Sequence, residues 1–226
     1  MGQKLSDQIL DYHFSLEINE RLPDGVEWLY PYEDPQVQIA MEQFFQKYFA
    51  DNHPRFALWG INPGRFGAGV TGLPFTDPIR MEEECGLINN FPKRQELSSV
   101  FVYDVIRAMG GPSNFYQHFY ISSICPLGFV KDGKNFNYYD SNELKKAILP
   151  LIHRNIEKHL EMGISDRVVF SMGQGKNFQF LKKLNDKHQY FQEVQPLPHP
   201  RWVMQYRLKR KLEFVDQYVT ALSQYL

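Results

Sequence analysis

Short apolar runs alternate with longer amphipathic stretches over most of the chain. Four of the runs have the length and composition of buried strands. They are RFALWGI (55–61), HFYISSI (118–124), DRVVFSM (166–172) and YFQEVQPL (190–197). Because helical periodicity separates each of these strands from the next, the pattern predicts right-handed crossovers and a parallel sheet that helices cover on both faces.

The amphipathic stretches predict helices at both ends of the chain and between the strands. Two lie before the first strand, and Asp34 with Pro35 is a typical start for the second of them. The others are predicted at about 96–109, 141–162, 174–187 and 202–224. We expect residues 1–226 to form a single domain, with the N-terminal helices of residues 5–50 packed on its core.

The composition excludes several classes of protein. Of the 226 residues, 43% are hydrophobic and 23% are charged, which is ordinary for a globular domain. No apolar run approaches the roughly 20 residues that cross a bilayer, and the first residues do not resemble a secretory signal. Two cysteines, Cys85 and Cys125, are too few for a disulfide framework. We therefore expect a cytoplasmic protein without membrane contact.

The charges are unevenly distributed although the formal net charge is only -1. The segment RWVMQYRLKRK (201–211) carries five basic residues and no acidic residue. Such a cluster can bind the phosphate backbone of a nucleic acid, but most charge runs are solvated surface. The segment alone leaves both interpretations open.

A loop rich in glycine and proline follows the first predicted strand. Residues 67–72 match G-x-G-x-x-G by letter, but a dinucleotide-binding motif follows its strand at once and opens a helix. Here Asn62-Pro63-Gly64-Arg65 intervenes and prolines follow, and no Walker motif is present elsewhere. The loop is either a turn without chemistry or a frame for Asn62, whose amide oxygen can position a water.

His199 lies between two prolines, directly after the last predicted strand. Ligands of open parallel sheets bind outside the carboxyl ends of the strands, so we expect His199 and Asn62 at the same edge. An imidazole there can donate a hydrogen bond to a developing anion, or it can be a structural histidine. The other six histidines lie in contexts that suggest no chemistry.

Three segments together resemble a known family. GINPGRFGAGVTGLPF (60–75) is similar, without a gap, to the first motif of the single-strand-selective monofunctional uracil-DNA glycosylases. SICPL (123–127) resembles that family's N-x-C-P-L segment, and LPHPR (197–201) resembles its second motif in shortened form. The chain thus looks like a divergent, bacterial-type member of the uracil-DNA glycosylase superfamily, which implies a three-layer αβα sandwich with a central four-stranded parallel sheet.

The resemblance implies an enzyme of base excision repair that flips a damaged nucleotide out of DNA and hydrolyses its N-glycosidic bond without metal or cofactor. By the same resemblance, Asn62 positions the water, Phe75 stacks on the flipped base and His199 donates to uracil O2. The backbone around Gly64 and Phe66 would line the pocket. A donor at O2 stabilises the negative charge that develops on the leaving base.

Ser123 departs from the family pattern because it stands where the family has an asparagine that reads the uracil edge. One hydroxyl cannot supply the paired donor and acceptor of an amide. The sequence therefore leaves three candidates for the damaged base that the site recognises: uracil, xanthine and hypoxanthine.

Five basic or aromatic residues after His199 are the predicted DNA contacts of a monomer. Arg201 and Trp202 are candidates for the wedge that fills the gap in the base stack. Arg207, Lys209 and Arg210 are candidate phosphate contacts. Two alternatives stay open: a catalytically silent nucleic-acid-binding relative with the same fold, and a hydrolase of small nucleosides or nucleotides.

Overall fold

A four-stranded parallel sheet forms the centre of the molecule, as the sequence predicts. The computed structural model describes residues 2–226, and its strands in chain order are β1 (Val26–Leu29), β2 (Phe56–Gly60), β3 (Phe119–Ser123), β4 (Gly128–Lys131), β5 (Lys134–Phe136), β6 (Val169–Met172) and β7 (Val194–Leu197). The central sheet has the order β3-β2-β6-β7, and all three pairings are parallel. The four predicted strands are its four members.

Helices surround this sheet. The α-helices are α1 (Leu5–Phe14), α2 (Pro35–Tyr48), α3 (Ala68–Thr71), α4 (Pro78–Glu83), α5 (Leu97–Ala108), α6 (Pro112–His118), α7 (Asn142–Ala147), α8 (Leu149–Glu161), α9 (Lys176–His188), α10 (Pro200–Tyr206) and α11 (Lys211–Leu222). Three short 3-10 turns are Pro31–Glu33, Leu208–Arg210 and Ser223–Tyr225. None of the helices in residues 2–226 is long and apolar enough to span a bilayer.

The two faces of the sheet pack against different helices, which gives three layers. On one face, the Trp59 ring and the hydroxyl of Ser122 contact His159 of α8. On the other face, Phe56 and Phe170 both pack against Tyr225, at the end of the chain beyond α11. Side chains alternate between the faces of a strand, so each strand contributes to both interfaces. The α/β fold class and the three-layer αβα sandwich are confirmed.

The N-terminal helices contact this core through aromatic rings. Phe45 of α2 and Phe49, just beyond it, lie 6.3 and 5.7 Å from the ring of Tyr120 in β3. The hydroxyl of Tyr12 in α1 donates to Asn155 Oδ1 of α8 at 2.7 Å. These contacts favour one domain over residues 1–226, which stays a prediction.

The loops contain more structure than their sequences predicted. The sequence CPLGFVKDGKNFNYYD (125–140) predicts a loop, but β4 and β5 form an antiparallel hairpin there, and β1 pairs with β4. The hairpin turns at Asp132 and Gly133, with φ angles of 49° and 68°. Both values are typical of the Asp-Gly turns that match the twist of a hairpin. The Asp-Gly pair is therefore a local sequence signal for the second sheet, although polar residues surround it.

Three predicted helices have different bounds. Apolar residues at helical spacing in LSDQILDYHFSLEINERL (5–22) predict a helix, but the first helix ends at Phe14. The helix predicted at 141–162 is divided at Ile148, and α8 begins with Pro150 in its first turn, where the missing N–H costs no hydrogen bond. The helix predicted at 202–224 is interrupted after Tyr206 and resumes at Lys211. Helical periodicity continues across such breaks, so the pattern alone does not locate them.

Strand β7 lies at one edge of the central sheet and contains Pro196. Val169 N–H donates to Glu193 O, so the backbone of residue 193 faces β6. Backbone groups alternate in direction along a strand, so the N–H of Gln195 also faces β6. Residue 196 therefore faces outwards, at a position where proline removes no bond of the sheet.

Candidate active site

A cavity of about 640 Å³ opens at the carboxyl ends of β2, β3 and β7. Eight of the eleven residues predicted for the site line it: Asn62, Gly64, Phe66, Phe75, Ser123, His199, Arg201 and Trp202. They come from three separate stretches of the sequence. The predicted edge of the sheet therefore holds a concave site, as expected of open parallel sheets.

Hydrogen bonds to the segment after β5 fix the carboxamide of Asn62. Its Oδ1 accepts from Tyr138 N at 3.1 Å, and its Nδ2 donates to Phe136 O and Pro63 O at 3.3 Å each. A backbone N–H must face the oxygen and two carbonyls must face the nitrogen, so the orientation of the amide is determined. One lone pair of Oδ1 is left to accept a hydrogen bond from a water.

The rest of the loop after Asn62 is held by the same hairpin. Arg65 N donates to Asn135 Oδ1 at 3.0 Å, and the carbonyl oxygen of Pro63 lies against the Cα of Gly128 so closely that a side chain there would collide with it. Gly128 therefore has a steric reason to be glycine.

Phe75 and Ser123 form the inner wall of the cavity. The Phe75 ring lies over Gly60, where a Cβ atom would come within 2.9 Å of the ring and 3.5 Å of Ser123 Oγ. Phe75 has a φ of 56°, in the left-handed region that non-glycine residues rarely adopt. The ring packs on Gly60, and Phe75 is one of the residues that line the cavity.

His199 is the N-cap of α10. Its Nδ1 accepts from Arg201 N at 3.1 Å, which leaves the ring proton on Nε2. Burial and, to a smaller extent, the positive charge of Arg201 lower the pKa of His199 to about 4. At neutral pH the ring is therefore an uncharged donor through Nε2–H.

Glu96 is a residue of the cavity wall that the sequence analysis missed. Its N–H donates to Asp77 Oδ2 at 2.8 Å, and its carboxylate lies directly against Gly67. Burial first, then repulsion by Asp77, raise the pKa of Glu96 to about 7, while Arg201 opposes the shift. The sequence around Glu96 contains no pattern that predicts its burial, because the residues that surround it are brought there by tertiary packing.

The hairpin side of the cavity was also missed. Its lining residues on that side are Lys134, Asn135, Asn137 and Tyr139. The Lys-Asp-Gly-Lys-Asn sequence of residues 131–135 is a hairpin signal that could have placed them near the strand ends.

The predicted DNA contacts divide into two groups. Arg201 and Trp202 line the cavity, and the guanidinium of Arg207 lies 4.9 Å from the centre of the Trp202 ring. Lys209 and Arg210 are exposed but lie outside the cavity lining, and Arg210 pairs with Glu213 at 2.7 Å. The structure thus brings only the first part of the basic segment to the site.

No group of three or more potential metal ligands occurs among His, Cys, Asp and Glu within residues 2–226. The arrangement consists of a fixed amide, an uncharged imidazole donor, an aromatic face and one carboxyl group. Such a set can hold a planar, polar ring, direct a water and stabilise a developing anion.

Comparison with known proteins gives three matches. The model of the uracil DNA glycosylase superfamily matches residues 46–223. The single-strand selective monofunctional uracil-DNA glycosylase of Rattus norvegicus is 29% identical over 113 residues, which are 42% of this chain and 38% of that protein. The crystal structure of wild-type SMUG2 from Pedobacter heparinus matches with a TM-score of 0.95 and 40% identity, over 99% of this chain and 98% of that chain.

Replacement of Asn62 by aspartate tests the fixed amide. In Asn62→Asp, a carboxylate oxygen would face the carbonyl oxygens of Pro63 and Phe136, which lose their donor. We expect the free energy of unfolding to fall by about 1–3 kcal/mol, and by more than in Asn62→Ala, which introduces no repulsion. Urea denaturation of both variants measures this difference. Equal stability of Asn62→Asp and the wild type would contradict the hydrogen-bond arrangement.

Replacement of Glu96 by glutamine tests the raised pKa. The folded chain retains the Glu96 proton up to a pKa of about 7, whereas the unfolded chain loses it near the ordinary glutamate pKa of 4.5. The stability of the wild type relative to Glu96→Gln should therefore fall as the pH rises from about 4.5 to 7. Melting temperatures measured between pH 4.5 and 8 check this. Glu42→Gln, an exposed change on α2, is the control and should give a constant difference.

Proposed function

Because the chain belongs to the uracil-DNA glycosylase superfamily, we propose that it is a monofunctional DNA glycosylase. It hydrolyses the N-glycosidic bond of uracil, or of another deaminated base, that has been flipped out of DNA. The product is DNA with an abasic site, which is the intermediate of base excision repair. The reaction uses water and side chains of the protein.

One observation carries this proposal: the fixed amide of Asn62, the uncharged donor of His199 and the ring of Phe75 line the same cavity. Asn62 Oδ1 accepts a hydrogen bond from the water and directs its oxygen to C1′ of the sugar. The bond from C1′ to the base nitrogen breaks, and its electron pair stays with the base. His199 Nε2–H donates to the anion that forms, while the attacking water loses its proton to solvent.

An uncharged histidine suits this step. A donor acts most strongly where charge develops in the transition state and water is excluded. Because the pKa of His199 is about 4, its imidazole is uncharged at neutral pH. It therefore acts as a hydrogen-bond donor and does not transfer a proton as a general acid. The stacking of the base on Phe75 offsets part of the cost of base flipping, a few kcal/mol in general.

The choice of base depends on Ser123. The hydroxyl is buried at the inner wall and can donate one hydrogen bond and accept others, but not with the geometry of an amide. Uracil, xanthine and hypoxanthine differ in their donors and acceptors at this edge. We therefore propose a deaminated base as the substrate class.

A catalytically silent relative that binds DNA is the second candidate, and Ser123 is the observation that favours it. Such a protein would bind a flipped base without releasing it. The retained geometry of Asn62 and His199 favours the enzyme.

A panel of oligonucleotides tests the activity directly. Single- and double-stranded substrates would each carry one uracil, xanthine or hypoxanthine, and alkali would convert abasic sites into strand breaks. We expect breaks with at least one lesion and release of the free base. A folded protein that cleaves none of them would rule out the enzyme, and binding without base release would favour the silent relative. Free deoxyuridine is the control for a small-molecule hydrolase.

Variants of the two central residues test the mechanism. Asn62→Ala and His199→Ala should each slow single-turnover excision by roughly 100- to 1000-fold, since each removes a contact that acts in the transition state. DNA affinity should stay near that of the wild type.

His199→Asn separates the chemistry from the helix cap. Asparagine is a good N-cap, so this variant should keep the melting temperature and still lose activity. His188→Ala, at the exposed end of α9, is the matched control. Full activity in both Asn62→Ala and His199→Ala would refute the assigned roles.

A further inference from the structure

A second cavity of about 310 Å³ adjoins the first at the start of α9. Four residues line both cavities: Ile61, Tyr139, His199 and Trp202. The two cavities therefore form one continuous groove that passes His199. The second part has its own wall, which includes the segment from Gly173 to Asn177 after β6.

Two aromatic rings stand where the cavities meet. Tyr139 is half-buried, and Trp202 is 38% exposed. The Trp202 ring packs edge-on against Phe214 with 5.6 Å between centres, and the Tyr139 ring packs edge-on against Tyr138 at 5.0 Å. These contacts hold the rings in place, while part of each surface still borders the groove.

Each of these rings has a cation beside it. Lys176 Nζ lies 5.7 Å from the centre of the Tyr139 ring, and the guanidinium of Arg207 lies 4.9 Å from that of Trp202. The lining of the second cavity contains no acidic residue, and Glu96 lines only the larger cavity. The second cavity thus combines flat apolar surfaces with positive charge.

This combination is complementary to single-stranded nucleic acid. Unpaired bases stack on aromatic rings, and the phosphates between them are neutralised by lysine and arginine. A base that remains paired in a duplex has both faces covered by its neighbours and cannot stack in this way.

We propose that the groove binds a nucleotide next to the flipped one, with its base unstacked from the strand and placed against Tyr139 and Trp202. Lys176 and Arg207 contact the phosphates on either side of it. The ligand is single-stranded DNA, and the subsite rests on the proposed function, since the flipped nucleotide occupies the larger cavity. Trp202 is then a wall of the groove and not a wedge in the duplex.

Removal of the aromatic rings tests the subsite. Tyr139→Leu and Trp202→Leu should each weaken the binding of a fluorescein-labelled, undamaged oligothymidylate by about tenfold, the usual effect of losing one stacked base. The conservative variants Tyr139→Phe and Trp202→Phe keep a ring and should retain most of the affinity. Tyr190→Leu, a half-buried tyrosine outside both cavities, is the control.

Fluorescence anisotropy at one salt concentration measures these affinities, and circular dichroism establishes that each variant is folded. The loss should be larger for the single strand than for a duplex of the same sequence. Wild-type affinity in both leucine variants, or equal losses for single strand and duplex, would overturn the proposal.

Neutralising Lys176 tests the charge. Lys176→Gln should reduce the slope of log affinity against log salt by about 0.7, the value for one phosphate contact to a single strand. Lys182→Gln is the matched control, because Lys182 lies on the same helix but outside the groove, paired with Asp186. A slope that stays unchanged in Lys176→Gln would contradict the phosphate contact.

The undamaged probe separates this proposal from the proposed enzyme, since its binding requires no excision. If the wild type releases no base but the ring variants lose single-strand affinity, the groove is supported and the glycosylase activity is refuted. If the wild type releases base while the variants bind the probe normally, the groove is refuted and the activity stands.

Discussion

The hairpin of β4 and β5 holds the loop that follows β2, and the geometry of the site depends on this contact. Two hydrogen bonds to Asn62 and one to Arg65 join the two segments. A further bond, from Asn62 to Pro63, is made within the loop itself. The direction in which Asn62 presents its free lone pair is therefore set by tertiary structure.

Burial shifts the pKa values of His199 and Glu96, which both line the cavity, in opposite directions. It lowers the pKa of His199 and raises that of Glu96, because a low-dielectric environment disfavours charge of either sign. Arg201 contributes to the first shift and opposes the second. At neutral pH His199 is therefore uncharged, and Glu96 is partly protonated.

The sequence predicted the central sheet because each strand is a distinct apolar run between helical stretches. It also placed Asn62 and His199 at the same edge of the sheet, where both line one cavity, because each lies just after a predicted strand and beside proline. It did not find Glu96 or Tyr139, which reach the cavity only after α5 and the hairpin have packed. No local pattern marks Glu96, whereas the Asp-Gly turn before Tyr139 is a hairpin signal that was overlooked. The break before Lys211 was missed for a related reason, because periodicity continues through it.

Pro196 at the outer edge of β7 has a consequence beyond the sheet itself. An exposed edge strand offers unpaired N–H and carbonyl groups to any other extended chain. Proline removes one of the donors that face outwards, while the bonds to β6 are unaffected. The edge nearest to His199 is therefore a poorer template for intermolecular strand pairing than an edge strand without proline.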